Sequence, residues 1–305
     1  MTGIVWLASY PKSGNTWFRV ILANLASEHP VDINDMPGRG GIASGRPEFE
    51  AVTWLDSGLL THEEADALRP RLYEALAGGA HPEPEVADPG APPRPRFIKA
   101  HDAYVSTGLG EPLFARIGRA ILIVRDPRDV APSFAHHRHT TIDAAIALMN
   151  GPDAALAGGR NALTNQLRQR LNDWSGHAAS WLEQRDIPVH LVRYEDLADD
   201  PVAVFGAAMA FAGVAAPLDD VRRAVEFASF ERLRAQELER GFREWIPGRG
   251  RAGTFFRRGQ RGSWRDDLSP RQVASIEAAH GPMMRRLGYE LSAAGSRSMK
   301  STAEG

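Results

Sequence analysis

Short apolar runs alternate with amphipathic segments along most of the chain. Four runs show little alternation between apolar and polar residues, as strands covered on both faces do, and they span residues 4–9, 96–100, 120–124 and 189–192. Between and after them, apolar residues recur at helical spacing, which predicts helices at 16–25, 61–76, 130–139, 167–185, 201–212, 218–227 and 270–287. Strands that alternate with helices predict an α/β fold, here a single domain with a central parallel sheet flanked by helices.

Three stretches interrupt this pattern. Residues 30–58 are rich in Gly, Pro and Asp and predict a structured loop, residues 78–95 contain six prolines and predict a loop or linker, and residues 151–165 are rich in Gly, Ala and Asn. The polar residues 292–305 predict a disordered tail. The sequence therefore predicts one domain over residues 1–291.

Composition and charge exclude or disfavour several classes of function. The 305 residues include 36 Lys and Arg against 38 Asp and Glu, a balance that disfavours a nucleic-acid partner. The chain contains no cysteine, which excludes disulfides, thiolate metal sites and cysteine nucleophiles. No run of about 18 apolar residues indicates a membrane span, so we expect a cytoplasmic protein without membrane insertion.

Lys12 is one of only three lysines, and it lies in a turn between the first predicted strand and helix, in the segment Tyr-Pro-Lys-Ser-Gly-Asn-Thr-Trp at 10–17. A glycine-containing turn that opens a helix gathers backbone N–H groups at the positive end of the helix dipole, and such a turn binds anions. The spacing differs from a Walker A motif because the lysine precedes the glycine. An ordinary helix N-terminus with an exposed lysine is the alternative.

Three further segments follow strands or lie near the C-terminus. Lys99-Ala100-His101 follows the second strand, Arg125 through Ser133 follows the third, and an Arg-Arg-Gly-Gln-Arg-Gly-Ser-Trp segment spans 257–264. The carboxyl ends of parallel strands share one edge of a sheet, where ligands bind. We therefore expect these segments to converge on the turn that holds Lys12.

In this order, the four segments resemble the motifs of the cytosolic-type sulfotransferases that use 3′-phosphoadenosine 5′-phosphosulfate (PAPS), and the resemblance, to a bacterial member, covers nearly the whole chain. The first segment is similar to the family's P-loop-like phosphosulfate-binding turn, with Asn15 where threonine is common. The third is similar to its 3′-phosphate segment. The last is similar to its R-K-G-x-x-G-D-W element, with Arg258 for lysine and Ser263 for aspartate.

The resemblance implies in-line transfer of a sulfonate from PAPS to a hydroxyl, or an amine, with PAP as the product and no metal. It makes Lys12 the group that stabilises the leaving oxygen, Lys99 a group that neutralises the sulfonate, and His101 the general base. The cofactor-binding residues that it implies are Ser13, Gly14, Asn15, Thr16, Trp17, Arg125, Ser133, Tyr194, Phe230, Arg257, Arg258 and Gly259.

Other interpretations of these segments stay open. A P-loop-type nucleotide kinase would use Asp126, after an apolar strand, as a ligand of Mg²⁺, and a non-catalytic nucleotide-binding protein would retain only the fold. Arg125 could form a surface salt bridge to a nearby aspartate instead of binding phosphate. Metal binding by the histidines at 136, 137 and 139 is disfavoured, because no two of them are spaced i, i+4.

The acceptor is less defined. The resemblance implies a small molecule or natural product, with lipid, glycan and peptide acceptors still open, and the oligomeric state is either monomer or homodimer. Residues 34–58, 102–114, 136–165 and 241–256 are expected to wall the acceptor pocket. Six aromatic residues could either accept a ring system there or belong to the core: Phe49, Trp54, Tyr104, Phe134, Phe242 and Trp245.

Overall fold

A four-stranded parallel sheet forms the centre of the computed structural model, which describes residues 3–36, 41–79, 95–159, 164–245 and 253–292. Its strands are β1 (Ile4–Ser9), β2 (Arg96–Ala100), β3 (Arg119–Val124) and β6 (Val189–Arg193), in the spatial order β2-β1-β3-β6. A two-stranded antiparallel ribbon pairs β4 (Ala155–Leu156) with β5 (Gln169–Arg170). The sheet confirms the predicted α/β fold with a central parallel sheet.

Twelve helices and one 3₁₀ turn accompany the strands in the described ranges. The helices that precede β3 are α1 (Asn15–Leu25), α2 (Arg46–Thr53) and α3 (His62–Ala77), with the 3₁₀ turn at Ser57–Leu59. Those after β3 are α4 (Pro127–His137), α5 (Ile142–Met149), α6 (Trp174–Glu183), α7 (Tyr194–Asp199), α8 (Pro201–Ala212), α9 (Leu218–Phe227), α10 (Phe230–Arg240), α11 (Trp264–Asp267) and α12 (Pro270–Arg286). In the parts of the chain described, none of these helices combines the length and apolar composition needed to cross a membrane.

Both faces of the sheet are covered. Along β1, Trp6 and Ala8 belong to one apolar cluster, while Val5 and Leu7 belong to a second cluster on the other face. All six residues of this strand are buried. Burial on both sides is the physical reason why β1 and β3 read as nearly uninterrupted apolar runs rather than alternating ones.

Several predicted boundaries are wrong. The helix predicted at 167–185 begins only at Trp174, because the Asp173 side chain caps it by accepting from the Gly176 N–H, and Gln169 and Arg170 form a strand instead. The segment 30–58 contains α2 and a 3₁₀ turn in addition to loop. Helices α5, α7, α10 and α11 were not predicted. Most of the predicted linker at 78–95 and nearly all of the predicted tail at 292–305 lie outside the described residues.

Candidate active site

A cavity of about 1020 Å³ opens at the carboxyl ends of β1, β2 and β3. It brings together the four sequence segments that were expected to converge. Ser13 is wholly buried and lies behind the cavity surface, with no hydrogen-bond partner for its hydroxyl among the described residues. The other predicted site residues line the cavity: Lys12, Gly14, Asn15, Thr16, Trp17, Lys99, His101, Arg125, Ser133, Tyr194, Phe230, Arg257, Arg258 and Gly259.

The first turn contains two residues with a positive φ, Lys12 and Gly14. Gly14, the N-cap of α1, has a φ of 103°, and a Cβ built there would lie 2.6 Å from the ring of Tyr194, so a side chain would clash. Lys12 has a φ of 69°, in the left-handed region that residues with a side chain rarely adopt. Such backbone conformations cost roughly 1–3 kcal/mol and concentrate at functional sites.

Asn15 stabilises the turn from behind. Its Nδ2 donates to the backbone carbonyl of Leu7 at 2.8 Å and to the hydroxyl of Ser9 at 3.1 Å, both on β1. The side-chain amide is therefore used to fix the end of β1 against the start of α1. This leaves the backbone of the turn, rather than the Asn15 amide, to face a bound anion.

Lys12 projects its ammonium into the cavity, where Nζ lies 3.5 Å from the centroid of the Phe255 ring. Burial, and next the positive charge of Lys99, lower the pKa of Lys12 from its usual 10.5 to about 7. Burial also lowers the pKa of Lys99. The positive charges of Lys12 and Lys99 are therefore unfavourable in this buried place, and a polyanionic ligand in the cavity would stabilise them.

Glu244 is a cavity residue that the sequence analysis did not select. Its Oε2 accepts from the Thr16 hydroxyl at 3.2 Å and lies 3.6 Å from Nζ of Lys99, and its Oε1 accepts from Arg19 at 2.8 Å. Although burial raises its pKa, the charges of Lys99 and Arg19 hold the pKa of Glu244 below its usual range. The only signal in the sequence was that Glu244 is the one acidic residue between Arg240 and Arg265, a stretch that contains eight arginines.

His101 is held in one orientation. Its Nδ1 lies 2.8 Å from the backbone carbonyl of Ser9, which can only accept, so Nδ1 carries the proton and Nε2 is left with a lone pair. The His101 carbonyl in turn accepts from Nε2 of His177 at 3.2 Å. Burial, followed by the charge of Lys99, lowers the pKa of His101 well below its usual 6.5. The ring is therefore neutral at pH 7, the form that can accept a proton.

Arg125 points toward the first turn. One of its terminal nitrogens lies 3.5 Å from the Lys12 carbonyl, another donates to the Gln260 carbonyl at 3.1 Å, and its guanidinium lies 4.3 Å from the centroid of the Tyr194 ring. Among the described residues, no carboxylate forms a salt bridge with Arg125. The geometry therefore does not favour the surface salt bridge, and Ser133 of α4 lines the same end of the cavity.

Aromatic side chains line the neighbouring part of the cavity. Trp17 packs edge-on against Tyr194 at a centroid distance of 5.8 Å, and its indole N–H donates to the Ala228 carbonyl. The Tyr194 hydroxyl donates to the Gly259 carbonyl at 3.3 Å. Gly259 has a φ of 63°, and a Cβ there would lie 2.3 Å from the Phe230 ring. These contacts join Trp17, Tyr194, Gly259 and Phe230 into one continuous part of the cavity wall.

The C-terminal arginine segment is tied to α4 and α11. Asp129 accepts from the backbone N–H groups of Gly262 and Trp264, at 2.6 and 2.9 Å, and thereby fixes the turn at 262–264. Arg257 and Arg258 both pair with Asp267, at 2.8 and 3.3 Å. The two guanidinium groups are thus held at the cavity wall by a carboxylate behind them.

The geometry weighs against the kinase interpretation. Asp126 caps α4 and is paired with the Arg128 guanidinium at 2.7 Å, so its carboxylate is committed to a buried ion pair rather than to Mg²⁺. His136 stacks on Trp245 at a centroid distance of 4.7 Å. No group of three or more His, Asp or Glu among the described residues is placed to hold a metal ion.

Of the six aromatic residues that could either meet the acceptor or belong to the core, only Phe134 lines the cavity. Phe49 is fully buried in the core, and Tyr104 stacks on Phe114 within the same core. Phe242 and Trp245 pack in the second apolar cluster, whereas Trp54 is 91% exposed. For Phe49, Phe242 and Trp245 the core alternative matches the structure.

Comparison with known proteins identifies one family. The sequence model for the sulfotransferase domain matches residues 3–288. Cytosolic sulfotransferase 17 from Arabidopsis thaliana is 22% identical over 294 residues, which cover 93% of this chain and 75% of that protein.

Two solved structures share the fold. Mouse sulfotransferase SULT7A1 complexed with PAP matches with a TM-score of 0.57 and 20% identity, covering 99% of this chain and 89% of that chain. Retinol dehydratase in a complex with retinol and PAP matches with a TM-score of 0.54 and 18% identity, covering 94% and 82%.

Proposed function

The chain belongs to the sulfotransferase domain family, and from this premise we propose that it transfers a sulfonate group from PAPS to a hydroxyl of a small-molecule acceptor. The observation that carries the proposal is the cavity itself: it gathers Lys12, Lys99, Arg125 and a neutral His101 around one space. Its volume of about 1020 Å³ is large enough for a nucleotide and a small second substrate together.

Lys12 and the turn around it would act on the leaving group. When the S–O bond to the 5′-phosphate breaks, negative charge develops on the bridging oxygen and PAP departs. An ammonium beside the N-terminus of α1 stabilises that charge. Lys99 would neutralise the sulfonate oxygens, and the hydroxyl of Thr16 would donate to the 5′-phosphate. In-line geometry follows if the acceptor approaches from the side of His101.

His101 would act as the general base. As the acceptor oxygen bonds to sulfur, its proton passes to Nε2, because Nδ1 already donates to the Ser9 carbonyl. The lowered pKa keeps the ring unprotonated at neutral pH. The non-catalytic alternative does not require a base at this position, whereas the proposed transfer uses the free lone pair of Nε2.

The remaining predicted residues would bind the rest of the donor. Trp17, Tyr194 and Phe230 would contact the adenine. Arg125 and Ser133, with the backbone of Gly259 and the guanidinium groups of Arg257 and Arg258, would hold the 3′-phosphate. The direct test is incubation with sulfur-labelled PAPS and cell extract, followed by mass spectrometry for a gain of sulfonate. Absence of any labelled product would contradict the proposal, as would a requirement for ATP and Mg²⁺.

Arg125→Ala is expected to weaken PAP binding by about 10- to 100-fold, because a charge-assisted hydrogen bond contributes about 1.5–3 kcal/mol. Calorimetric titration with PAP and with 5′-AMP, which lacks the 3′-phosphate, separates the role of this side chain. The loss should appear for PAP and be nearly absent for 5′-AMP. Equal losses for the two nucleotides would mean that Arg125 supports the cavity wall through its contacts with Lys12 and Gln260 instead.

Glu244→Gln is expected to lower the Kd for PAP by about 3- to 10-fold, since ion pairs and charged hydrogen bonds of this kind contribute on the order of 1 kcal/mol. The carboxylate pairs with Thr16 and Lys99, two groups proposed to meet the donor, so it competes with the donor's anionic oxygens. The control is Glu239→Gln, which removes a charge from a 67% exposed side chain on α10. Weaker PAP binding to the Glu244→Gln protein would show that the carboxylate orients Lys99 instead of competing.

A further inference from the structure

The part of the cavity next to His101 is walled by amide side chains. The strand β5 runs along the segment that follows His101: the Ala103 N–H donates to the Arg170 carbonyl at 2.7 Å, and the Arg170 N–H donates to Asp102 at 2.8 Å. These two bonds fix Gln169, the preceding residue, against the proposed acceptor side. Asn165, Gln166 and Gln169 all line the cavity there.

Gln169 is 2% exposed, and only half of its amide is satisfied. Its Nε2 donates to Oε1 of Gln166 at 2.5 Å, and Oε1 of Gln166 also accepts from the Ser44 hydroxyl at 3.4 Å. With the two amides assigned from this hydrogen-bond network, Nε2 is the bonded end of the Gln169 side chain and Oε1 is its free end. The Gln169 Oε1 atom is buried and has no hydrogen-bond partner among the described residues. A buried polar atom without a partner is costly and requires an explanation.

We infer that Gln169 is a specificity-determining residue whose Oε1 accepts a hydrogen bond from the acceptor, so that the acceptor carries a second O–H or N–H donor besides the hydroxyl that receives the sulfonate. The inference rests on the proposed function and deepens it by naming a property of the acceptor. A flat apolar acceptor would leave the Gln169 oxygen unsatisfied.

The test compares matched acceptors that differ by one donor, namely phenol with resorcinol and 2-naphthol with 2,7-dihydroxynaphthalene. Sulfonate transfer from labelled PAPS is measured as kcat/KM for each. The wild-type protein should prefer the dihydroxy member of each pair by about tenfold or more, because a site built to bond a hydroxyl rejects the analogue that lacks it. The presence of two equivalent hydroxyls in the dihydroxy member would by itself raise kcat/KM by only a factor of two.

Gln169→Leu removes the acceptor oxygen at similar volume, so the preference should fall to about twofold. Gln260→Leu makes the same substitution at the other end of the cavity and should leave the ratio at its wild-type value. Titration with PAP shows whether the Gln169→Leu protein has kept its fold. A wild-type ratio near two, or an unchanged ratio in the Gln169→Leu protein, would overturn the inference alone. Absence of transfer to every panel member and to cell extract would instead overturn the proposed function.

Discussion

Replacing Lys12 with methionine should lower the turnover number for sulfonate transfer by about 10²–10³, the usual cost of removing a group that stabilises a developing oxyanion. Methionine keeps most of the side-chain volume against Phe255 but removes the charge that would meet the departing oxygen. The measurement is steady-state transfer from labelled PAPS. Turnover within threefold of the wild type would remove Lys12 from the proposed mechanism.

The same variant should also be more thermally stable than the wild type, and this second effect serves as its control for folding. The pKa of Lys12 is lowered to about 7 in the folded protein, chiefly by burial and next by Lys99. The unfolded chain therefore holds this proton more tightly, so the cost to stability is full below about pH 7 and disappears as the pH rises through about 10.5. In the absence of donor, Lys12→Met should melt at a higher temperature than the wild type at about pH 6. The difference should shrink toward about pH 10.

Replacing His101 with alanine should lower turnover by about 10²–10⁴, the range that general-base catalysis contributes. PAP affinity should change little, because the histidine is proposed to meet the acceptor and not the nucleotide. Since the pKa of His101 lies well below its usual 6.5, the wild-type rate should not rise with this group's titration between about pH 7 and 8.

His190→Ala is the matched control for this variant. His190 lies on β6, stacked on Phe211, and its replacement should leave transfer unchanged. If His101→Ala retained the wild-type rate with PAP binding intact, the base assignment would be wrong. A search for another base would then begin with Glu244, the carboxylate that pairs with Lys99 among the described residues.

Local sequence signals predicted the bounds of an element well where the apolar pattern and capping residues of that element determine its structure. The strand β1 and the helices α8 and α9 have the predicted bounds, and the Thr61 capping box starts α3 one residue after the predicted start. Helix α10 was not predicted, because only Leu233 and Glu237 of its eleven residues are buried and no apolar stripe stands out. Its position depends on tertiary contacts rather than on periodicity.

The sequence by itself determined the parallel α/β fold, the turn that holds Lys12, and the set of segments that meet around it, because apolar runs, glycine positions and capping residues act over a few neighbours. Only the tertiary structure decided that Glu244 reaches Thr16, that Gln169 lines the cavity, and that most of the six aromatic candidates stay in the core. The contact from Arg19 to Glu244 joins residues 225 positions apart. Such contacts depend on how the whole chain packs, and no local pattern specifies them.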